Sequence, residues 1–362
     1  MNETPILLSK VEIKDSLKVS YGLRRVPTAD LACLLPRSDF SPQVGDVVLA
    51  QVEKIGKNAR LELPSGRRAN LYEGDMVAVV FGNRHATRQF EGYARAEGDH
   101  CDLLSMGGLC GIVESKHASV LEPSKLRLHG LIGDPLGNPV RLQNYSLEPK
   151  PVLKRPGVIV VCGTSMDSGK TFTAMSLIVG LRQQGSRVAG IKLTGTAAGT
   201  DTWNMLDAGA CAAFDFIDGG LPSTYLCTLD QLLSLYDLLL GHASFRDADW
   251  AVIEIADGLL QSETAALLQS LSFTSEVDAW VFAAGDPIGA AGGISILQDW
   301  GITPIALSGL VSMSPLCIRE AKAATEVPCL TARELQLGEL NSQLESIASK
   351  KALDWVNRGV ER

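Results

Sequence analysis

Two patterns of apolar and polar residues divide the chain. Up to about residue 150, short alternating runs recur between turn residues; they are VVLAQVEKI (47–55), ARLEL (59–63), MVAVVF (76–81) and CGIVES (110–115). Alternation of this length, bounded by Gly, Pro, Asn and Asp, is typical of half-buried β-strands. The turn-and-strand segment VGDVV (44–48) is similar to the segment EGDMV (73–77), which begins 29 residues later. The sequence therefore predicts a small β-rich barrel or sandwich at residues 1–146.

The segment Leu147–Gly157, LEPKPVLKRPG, separates the two patterns. Proline lacks an N–H donor and disfavours helix at the residue before it, so three prolines in this segment predict an extended connection. We therefore predict a linker at 147–157 and a second domain at 158–362.

Beyond the linker, continuous apolar runs alternate with segments of helical period. Strands are predicted at GVIVVC (157–162), RVAGIKLTG (187–195), ADWAVIEIAD (248–257), DAWVFAAGD (278–286), ITPIALSGL (302–310) and VPCLT (327–331). Helices are predicted over 170–184, 229–240, 293–301, 315–325 and 333–360. Such alternation favours an α/β fold: a mainly parallel sheet with helices on both faces, preceded by the β-rich domain.

Composition and charge exclude several classes. The chain has 33 Lys+Arg, 41 Asp+Glu and 46% hydrophobic residues, which is typical of a globular protein. Residues 1–150 hold 19 Lys+Arg and 18 Asp+Glu, so this half is nearly neutral and the acidic surplus of the chain lies in the rest. Neither half has the excess of basic residues that general nucleic-acid binding requires. No apolar run predicts a membrane-spanning helix. The eight cysteines form no C-x-x-C pair, which argues against zinc and favours reduced thiols in the cytoplasm.

The strongest motif is a phosphate-binding loop between a predicted strand and a predicted helix. Its residues are Gly163, Thr164, Ser165, Met166, Asp167, Ser168, Gly169, Lys170 and Thr171. Glycines allow successive N–H groups to face an anion, and the helix N-terminus adds positive potential. We expect Lys170 to reach the β- and γ-phosphates of a nucleotide and Thr171 to bind Mg²⁺. The spacing, G-x5-GKT, is one residue longer than the common G-x4-GK[ST].

The motif and three later segments resemble dethiobiotin synthetase. The segments are GIKLTGT with Lys192, ADWAVIEIADG with Glu254, and VFAAGDPIGAAGGISILQDWGI. This enzyme belongs to the P-loop NTPase class that includes nitrogenase iron protein and the septum-site and signal-recognition NTPases. The similarity covers about residues 157–331. EIADG stands where the family has EGAGG, and Leu193 where it has Pro, so the substrate does not carry over. The loop and the N-terminal extension also resemble a bacterial family linked to N-acetylation of D-glutamate.

The resemblance implies roles for residues beyond the loop. Lys192 is the second lysine beside the γ-phosphate, and either Asp201 or Asp207 helps to bind Mg²⁺. Glu254 and Thr171 supply further hard oxygen ligands at neighbouring strand ends. We further predict that the substrate lies near Asp257, Gln261 and Thr194. The class also implies a homodimer.

Three functions are consistent with these residues. The first is an enzyme that uses ATP and Mg²⁺ to activate a small acid, carbamate or amine-derived group for ligation. The second is a regulatory or assembly ATPase whose β-rich domain binds a partner. The third is an N-acyltransferase whose loop holds a phosphorylated carrier such as coenzyme A. The lack of an NKxD motif favours ATP over GTP.

Overall fold

The computed structural model describes residues 6–7, 17–35 and 41–347, which form two compact units. The first unit contains the described residues of Met1–Glu148 together with Gly195–Thr200 and Phe216–Leu226. The second contains those of Pro149–Thr194, Asp201–Asp215 and Cys227–Arg362. The chain thus first passes from one unit to the other between Glu148 and Pro149, inside the proline-rich segment. None of the helices in the described ranges has both the length and the apolar run needed to span a bilayer.

The first unit is built from short strands. They are β1 (Ile6–Leu7), β2 (Lys18–Val19), β3 (Cys33–Leu34), β4 (Val47–Lys54), β5 (Arg60–Glu62), β6 (Arg68–Asn70), β7 (Met76–Phe81), β8 (Phe90–Tyr93), β9 (His100–Leu103), β10 (Leu109–Lys116) and β11 (Ser124–Gly133). Short 3-10 turns lie at Tyr21–Leu23, Thr28–Asp30, Leu142–Tyr145 and Phe216–Gly219. β5 and β6 form a separate hairpin, and the other strands belong to one sheet.

Part of that sheet closes on itself as a barrel. β11 pairs with β4, β4 with β7, β7 with β10, β10 with β9, and β9 returns to β11. Only the β7–β10 pair is parallel within this ring. Side chains of these five strands, together with Leu61 and Leu71 from the β5–β6 hairpin region, form one apolar core: Val48, Ala50, Val52, Leu61, Leu71, Val77, Val79, Phe81, Cys101, Leu103, Cys110, Leu126 and Leu128. The structure therefore selects the barrel from the two predicted β-rich forms.

The 29-residue echo in the sequence corresponds to a local two-fold relation between β4 and β7. Gly45 and Gly74 precede these strands with the same φ of +94°. The Gly45 N–H donates to the Phe81 carbonyl at 2.8 Å, and the Gly74 N–H donates to the Val52 carbonyl at 2.8 Å. Each turn is therefore fixed by the far end of the other strand.

The aspartate after each of these glycines repeats the same contact. The Asp46 carboxylate accepts the Gln43 N–H at 2.9 Å, and the Asp75 carboxylate accepts the Tyr72 N–H at 2.7 Å. Short polar side chains that accept a nearby backbone N–H stabilise tight turns. The two similar segments thus form the same kind of tight turn, each at the start of one of two paired strands.

The second unit contains a fully parallel sheet. Its strands are β12 (Gly157–Gly163), β13 (Val188–Lys192), β14 (Ala212–Asp215), β15 (Trp250–Glu254), β16 (Ala279–Ala283) and β17 (Ala306–Ser308). Their spatial order is β14–β13–β15–β12–β16–β17. The predicted fold class, an α/β protein with a preceding β-rich unit, is confirmed.

Helices connect and cover these strands. They are α1 (Lys170–Gln183), α2 (Thr200–Asp207), α3 (Leu229–Phe245), α4 (Ser262–Leu268), α5 (Leu271–Thr274), α6 (Pro287–Asp299), α7 (Pro315–Ala324) and α8 (Ala332–Gln336). A 3-10 turn lies at Leu310–Met313, and residues 341–347 are also helical. The core around α1 comprises Ile159, Val161, Ala174, Leu177, Ile178, Leu181, Val188, Met205, Ala208, Ala210, Trp250, Val252, Ala279, Val281, Ala306, Leu335, Leu340 and Leu344.

Two elements near the C-terminus differ from the sequence prediction. The predicted strand at 327–331 is only an isolated parallel bridge between Leu307 and Cys329, since Pro328 has no N–H to donate to a ladder. The predicted helix 333–360 is interrupted after α8 by a turn at 337–340, in which Gly338 has a φ of +84°. Its last part, 348–360, lies outside the described residues.

The turn before β7 generates a stability prediction. Gly74 has a left-handed φ and open space around its Cα, so Gly74→Ala adds backbone strain without a steric clash. We expect this variant to lower the free energy of unfolding by about 1–2 kcal/mol, measured by urea denaturation. Gly292 in α6 also has open space, with no left-handed φ, so Gly292→Ala is the matched control and should stabilise by about 0.5–1 kcal/mol. Equal effects of both substitutions would contradict the assigned turn.

Candidate functional site

The carboxyl ends of three neighbouring strands meet at one edge of the parallel sheet. β15 lies between β13 and β12, with Lys192 in register with Glu254, and Glu254 in register with Val161. The loop that follows β12 is the phosphate-loop motif. In open parallel sheets this edge is where ligands bind. The register therefore brings a lysine, a glutamate and the glycine-rich loop side by side.

The loop leads directly into α1 through Gly169. This residue has a φ of +95°, and a Cβ there would lie 2.8 Å from the Cα of Gly309, so only glycine fits. No side chain caps the N-terminus of α1. The Ser168 carbonyl accepts the Leu310 N–H at 3.0 Å, and the Thr164 N–H donates to Ala283 at 3.0 Å. The loop is thus fixed from both sides, and the start of α1 keeps N–H groups for an anion.

The loop contains a turn at residues 165–168. Asp167 has a φ of +64°, a conformation that aspartate tolerates better than most residues, and the Ser168 N–H donates to the Ser165 carbonyl at 3.3 Å. Ser165 and Asp167 are exposed, while Thr164 and Met166 are half-buried. The exposed residues lie at the tip of the loop.

Ser168 is buried within the same loop. Its hydroxyl has no hydrogen-bond partner among the described residues. Buried polar atoms are rarely left without a partner in folded proteins. An unpaired hydroxyl inside a glycine-rich loop is consistent with a polar ligand at the loop.

Lys170 is buried at the start of α1. Its ammonium donates to the backbone carbonyls of Ser165 and Asp257, both at 2.7 Å. Burial lowers the pKa of Lys170 to about 8, and the charge of Glu254 acts in the opposite direction. The two carbonyls use two of the three donors of the ammonium, so the group retains a donor for an anion.

A compact polar network joins the three strand ends. The Lys192 ammonium lies 2.6 Å from Glu254 Oε1 and 2.9 Å from Asp201 Oδ2. The Thr171 hydroxyl lies within hydrogen-bond distance of the same two carboxylates, 2.9 Å from Glu254 Oε1 and 3.3 Å from Asp201 Oδ1, and its single hydrogen serves one of them at a time. Burial by itself lowers the pKa of Lys192, but the charges of Asp201 and Glu254 outweigh it and hold that pKa above its usual value. Lys192 therefore stays protonated.

One carboxylate oxygen of this network accepts no hydrogen bond from the described residues. Glu254 is 1% exposed, and its Oε2 has no hydrogen-bond partner within the described ranges. Together with the hydroxyl of Thr171 and the Asp201 carboxylate, this atom makes a set of hard oxygen donors that fits Mg²⁺. No three His, Cys, Asp or Glu side chains form a metal cluster in the described part of the chain. Bound Mg²⁺ would consequently need phosphate oxygens and waters as well.

The two aspartates offered by the sequence differ in position. Asp201 lies in the first turn of α2 and reaches Thr171 and Lys192. Asp207 lies at the last residue of α2 and is exposed. The geometry therefore brings Asp201 to the loop, while Asp207 lies at the opposite end of its helix.

The residues predicted to lie near the substrate make hydrogen bonds to other residues of the protein. The buried Thr194 accepts the Ala256 N–H at 2.8 Å through its hydroxyl oxygen. Gln261 caps α4 by accepting the Thr264 N–H at 2.8 Å. Asp257 is half-buried and contacts Lys170 through its carbonyl; this contact has no signal in the sequence, because it uses a backbone atom that every residue type has.

These features give the second unit the strand–loop–helix arrangement of a P-loop fold. A strand enters a glycine-rich loop, the loop opens a helix through a lysine and a threonine, and a carboxylate from a neighbouring strand contacts that threonine. This is the arrangement that P-loop NTPases use for phosphate and Mg²⁺.

Comparison with known proteins gives similarities in structure alone. No family model and no curated protein matches the sequence. The 54 kDa signal recognition particle protein of Aeropyrum pernix K1, solved with GDP, is 21% identical, with a TM-score of 0.35 over 56% of this chain and 50% of that one. Chloroplast FtsY from Physcomitrella patens is 15% identical, with a TM-score of 0.34 over 52% and 63%. A LAO/AO transport system kinase is 15% identical, with a TM-score of 0.31 over 58% and 69%.

The chain spans only half of the length of the first of these structures and less than two thirds of the second. None of the three is similar enough in sequence or shape for its activity to be transferred to this chain. The residues of the site itself carry the functional argument.

Proposed function

We propose that the second unit binds ATP with Mg²⁺ and transfers its γ-phosphoryl group. The observation that carries this proposal is the convergence of Lys170, Thr171, Lys192 and Glu254 at one edge of the sheet. Phosphoryl transfer needs phosphates held in place and their developing charge neutralised, and it needs little covalent chemistry from the protein.

Each cation has a distinct role in this proposal. Lys170 stands at the N-terminus of α1 and binds the β- and γ-phosphates together with the loop N–H groups. Lys192 comes from the next strand and stays protonated between Asp201 and Glu254. It stabilises the charge that develops on the transferred group.

Thr171, Asp201 and Glu254 hold Mg²⁺ in this proposal. Mg²⁺ bound there would neutralise charge on the phosphates of the nucleotide. The unpaired Oε2 of Glu254 supports this assignment, because a buried carboxylate oxygen without a partner is unfavourable. Thr171 and Glu254 lie within hydrogen-bond distance of each other, so both side chains are close to one place in the site.

The proposed reaction is activation of a small acid, carbamate or amine-derived group for ligation. The support is the similarity of residues 157–331 to dethiobiotin synthetase in the loop, the second lysine and the strand that ends at Glu254. The substrate oxygen attacks the γ-phosphorus and releases ADP, and a nucleophile then displaces phosphate from the activated group. EIADG replaces the family's EGAGG at 254–258, so we propose a substrate other than that of dethiobiotin synthetase.

Replacement of Lys170 tests the nucleotide site. We expect Lys170→Ala to weaken ATP binding at least about 100-fold, since hydrogen bonds from a charged group contribute about 1.5–3 kcal/mol each. The measurement is isothermal titration calorimetry, with circular dichroism to verify the fold. Lys322→Ala, at an exposed position on α7, is the matched control and should bind ATP normally. Unchanged affinity of Lys170→Ala would refute the site.

Replacement of Glu254 tests the metal site separately. Glu254→Gln keeps the shape of the side chain and removes the charge, so we expect Mg²⁺-dependent ATP turnover to fall by at least about tenfold while ATP affinity in EDTA changes little. The control is Glu276→Gln, which removes a carboxylate from a surface ion pair with Arg155. Equal losses in turnover and in metal-free binding would argue against a metal role for Glu254.

The substrate class is tested by stimulation of turnover. A thermal-shift screen of ATP, GTP, ADP and acyl-CoA with Mg²⁺ identifies the preferred phosphorylated ligand. Small carboxylic acids and amines are then added with ATP, and we expect one of them to raise ADP release. Stabilisation by acyl-CoA without ATP turnover would contradict the proposed reaction.

A further inference from the structure

The chain segment that follows Glu254 also contacts the phosphate loop. The backbone carbonyl of Asp257 accepts a hydrogen bond from the Lys170 ammonium at 2.7 Å. The second carbonyl, from Ser165, belongs to the loop itself. The position of Lys170 therefore depends on where the backbone at 255–258 is held.

Close packing fixes this segment against the loop. Asp257 has a left-handed φ of +59°, which turns the chain after β15. A Cβ on Gly258 would lie 2.2 Å from the Thr164 carbonyl, so the two backbones are in direct contact. Aspartate tolerates the left-handed region better than most residues other than glycine, and the contacts of the neighbouring residues decide whether it adopts that conformation.

Two buried threonines hold the backbone of Ala256, the residue before Asp257, in place. Thr194, beyond the end of β13, accepts the Ala256 N–H at 2.8 Å. Thr264, in α4, donates its hydroxyl to the Ala256 carbonyl at 3.3 Å. Their exposed fractions are 4% and 2%. Both peptide groups that flank Ala256 are thus fixed by side chains from different elements, one residue before the carbonyl that contacts Lys170.

We propose that Thr194 and Thr264 are positioning residues for Lys170. By fixing the two peptide groups of Ala256, they hold Asp257 in its left-handed conformation and aim its carbonyl at the ammonium. Neither threonine needs to touch the nucleotide for this role. The inference rests on the proposed function, because it assumes that Lys170 binds the nucleotide phosphates.

The test is the replacement of the Thr194 hydroxyl by a methyl group. Thr194→Val keeps the volume and leaves the Ala256 N–H without its acceptor, so we expect ATP affinity to fall about tenfold. The loss should be the same in EDTA and in Mg²⁺, because Lys170 contacts phosphate without the metal. Thr194→Ser restores the hydroxyl and should bind ATP within about twofold of the parent protein.

Controls separate this inference from the proposed function and from simple destabilisation. Ser176→Ala removes a buried hydroxyl within α1 that donates to Phe172, and ATP affinity should not change. If Thr194→Val does not fold, Thr264→Val carries the same test from α4. A lower melting temperature with unchanged ATP affinity would overturn the positioning role, and so would failure of Thr194→Ser to restore binding. If Lys170→Ala also binds ATP normally, the proposed function fails too.

Discussion

The buried carboxylate of Glu254 is the constraint on which the site depends. A charged group at 1% exposure is costly to bury unless it is paired, and Glu254 is paired with Lys192 and Thr171 through one oxygen. A buried ion pair often stabilises a fold less than apolar residues of the same size. Its position at the carboxyl end of an otherwise apolar strand is thus better explained by ligand binding than by stability.

That constraint organises three separate parts of the chain. Lys192 arrives on β13, Thr171 at the start of α1, and Asp201 at the start of α2, and all three meet Glu254 or each other within hydrogen-bond distance. The same strand continues into the segment whose backbone carbonyl contacts Lys170. One strand end therefore supplies both a side chain and a main-chain atom to the site.

The first unit follows a different principle. Its barrel core is apolar. Two paired strands of the barrel begin at similar turns 29 residues apart, and each turn is fixed by a glycine of φ +94° and the aspartate that follows it. Two short segments from later in the chain, Gly195–Thr200 and Phe216–Leu226, also belong to this unit. The chain thus passes between the units several times, which no local pattern of apolar residues indicates.

The sequence alone determined the α/β class, the loop motif at 163–171 and strands at 187–195 and 248–257, because period and motif are local properties; the structure ends these strands at Lys192 and Glu254. It left Asp201 and Asp207 as equal alternatives, since both are aspartates that follow the second strand; only the tertiary structure shows that the first turn of α2 reaches Thr171 and Lys192. The contacts of Lys170 and Ala256 were likewise decided by tertiary structure. They involve backbone atoms and hydroxyls brought together from distant segments, and such contacts have no signature in residue type or spacing.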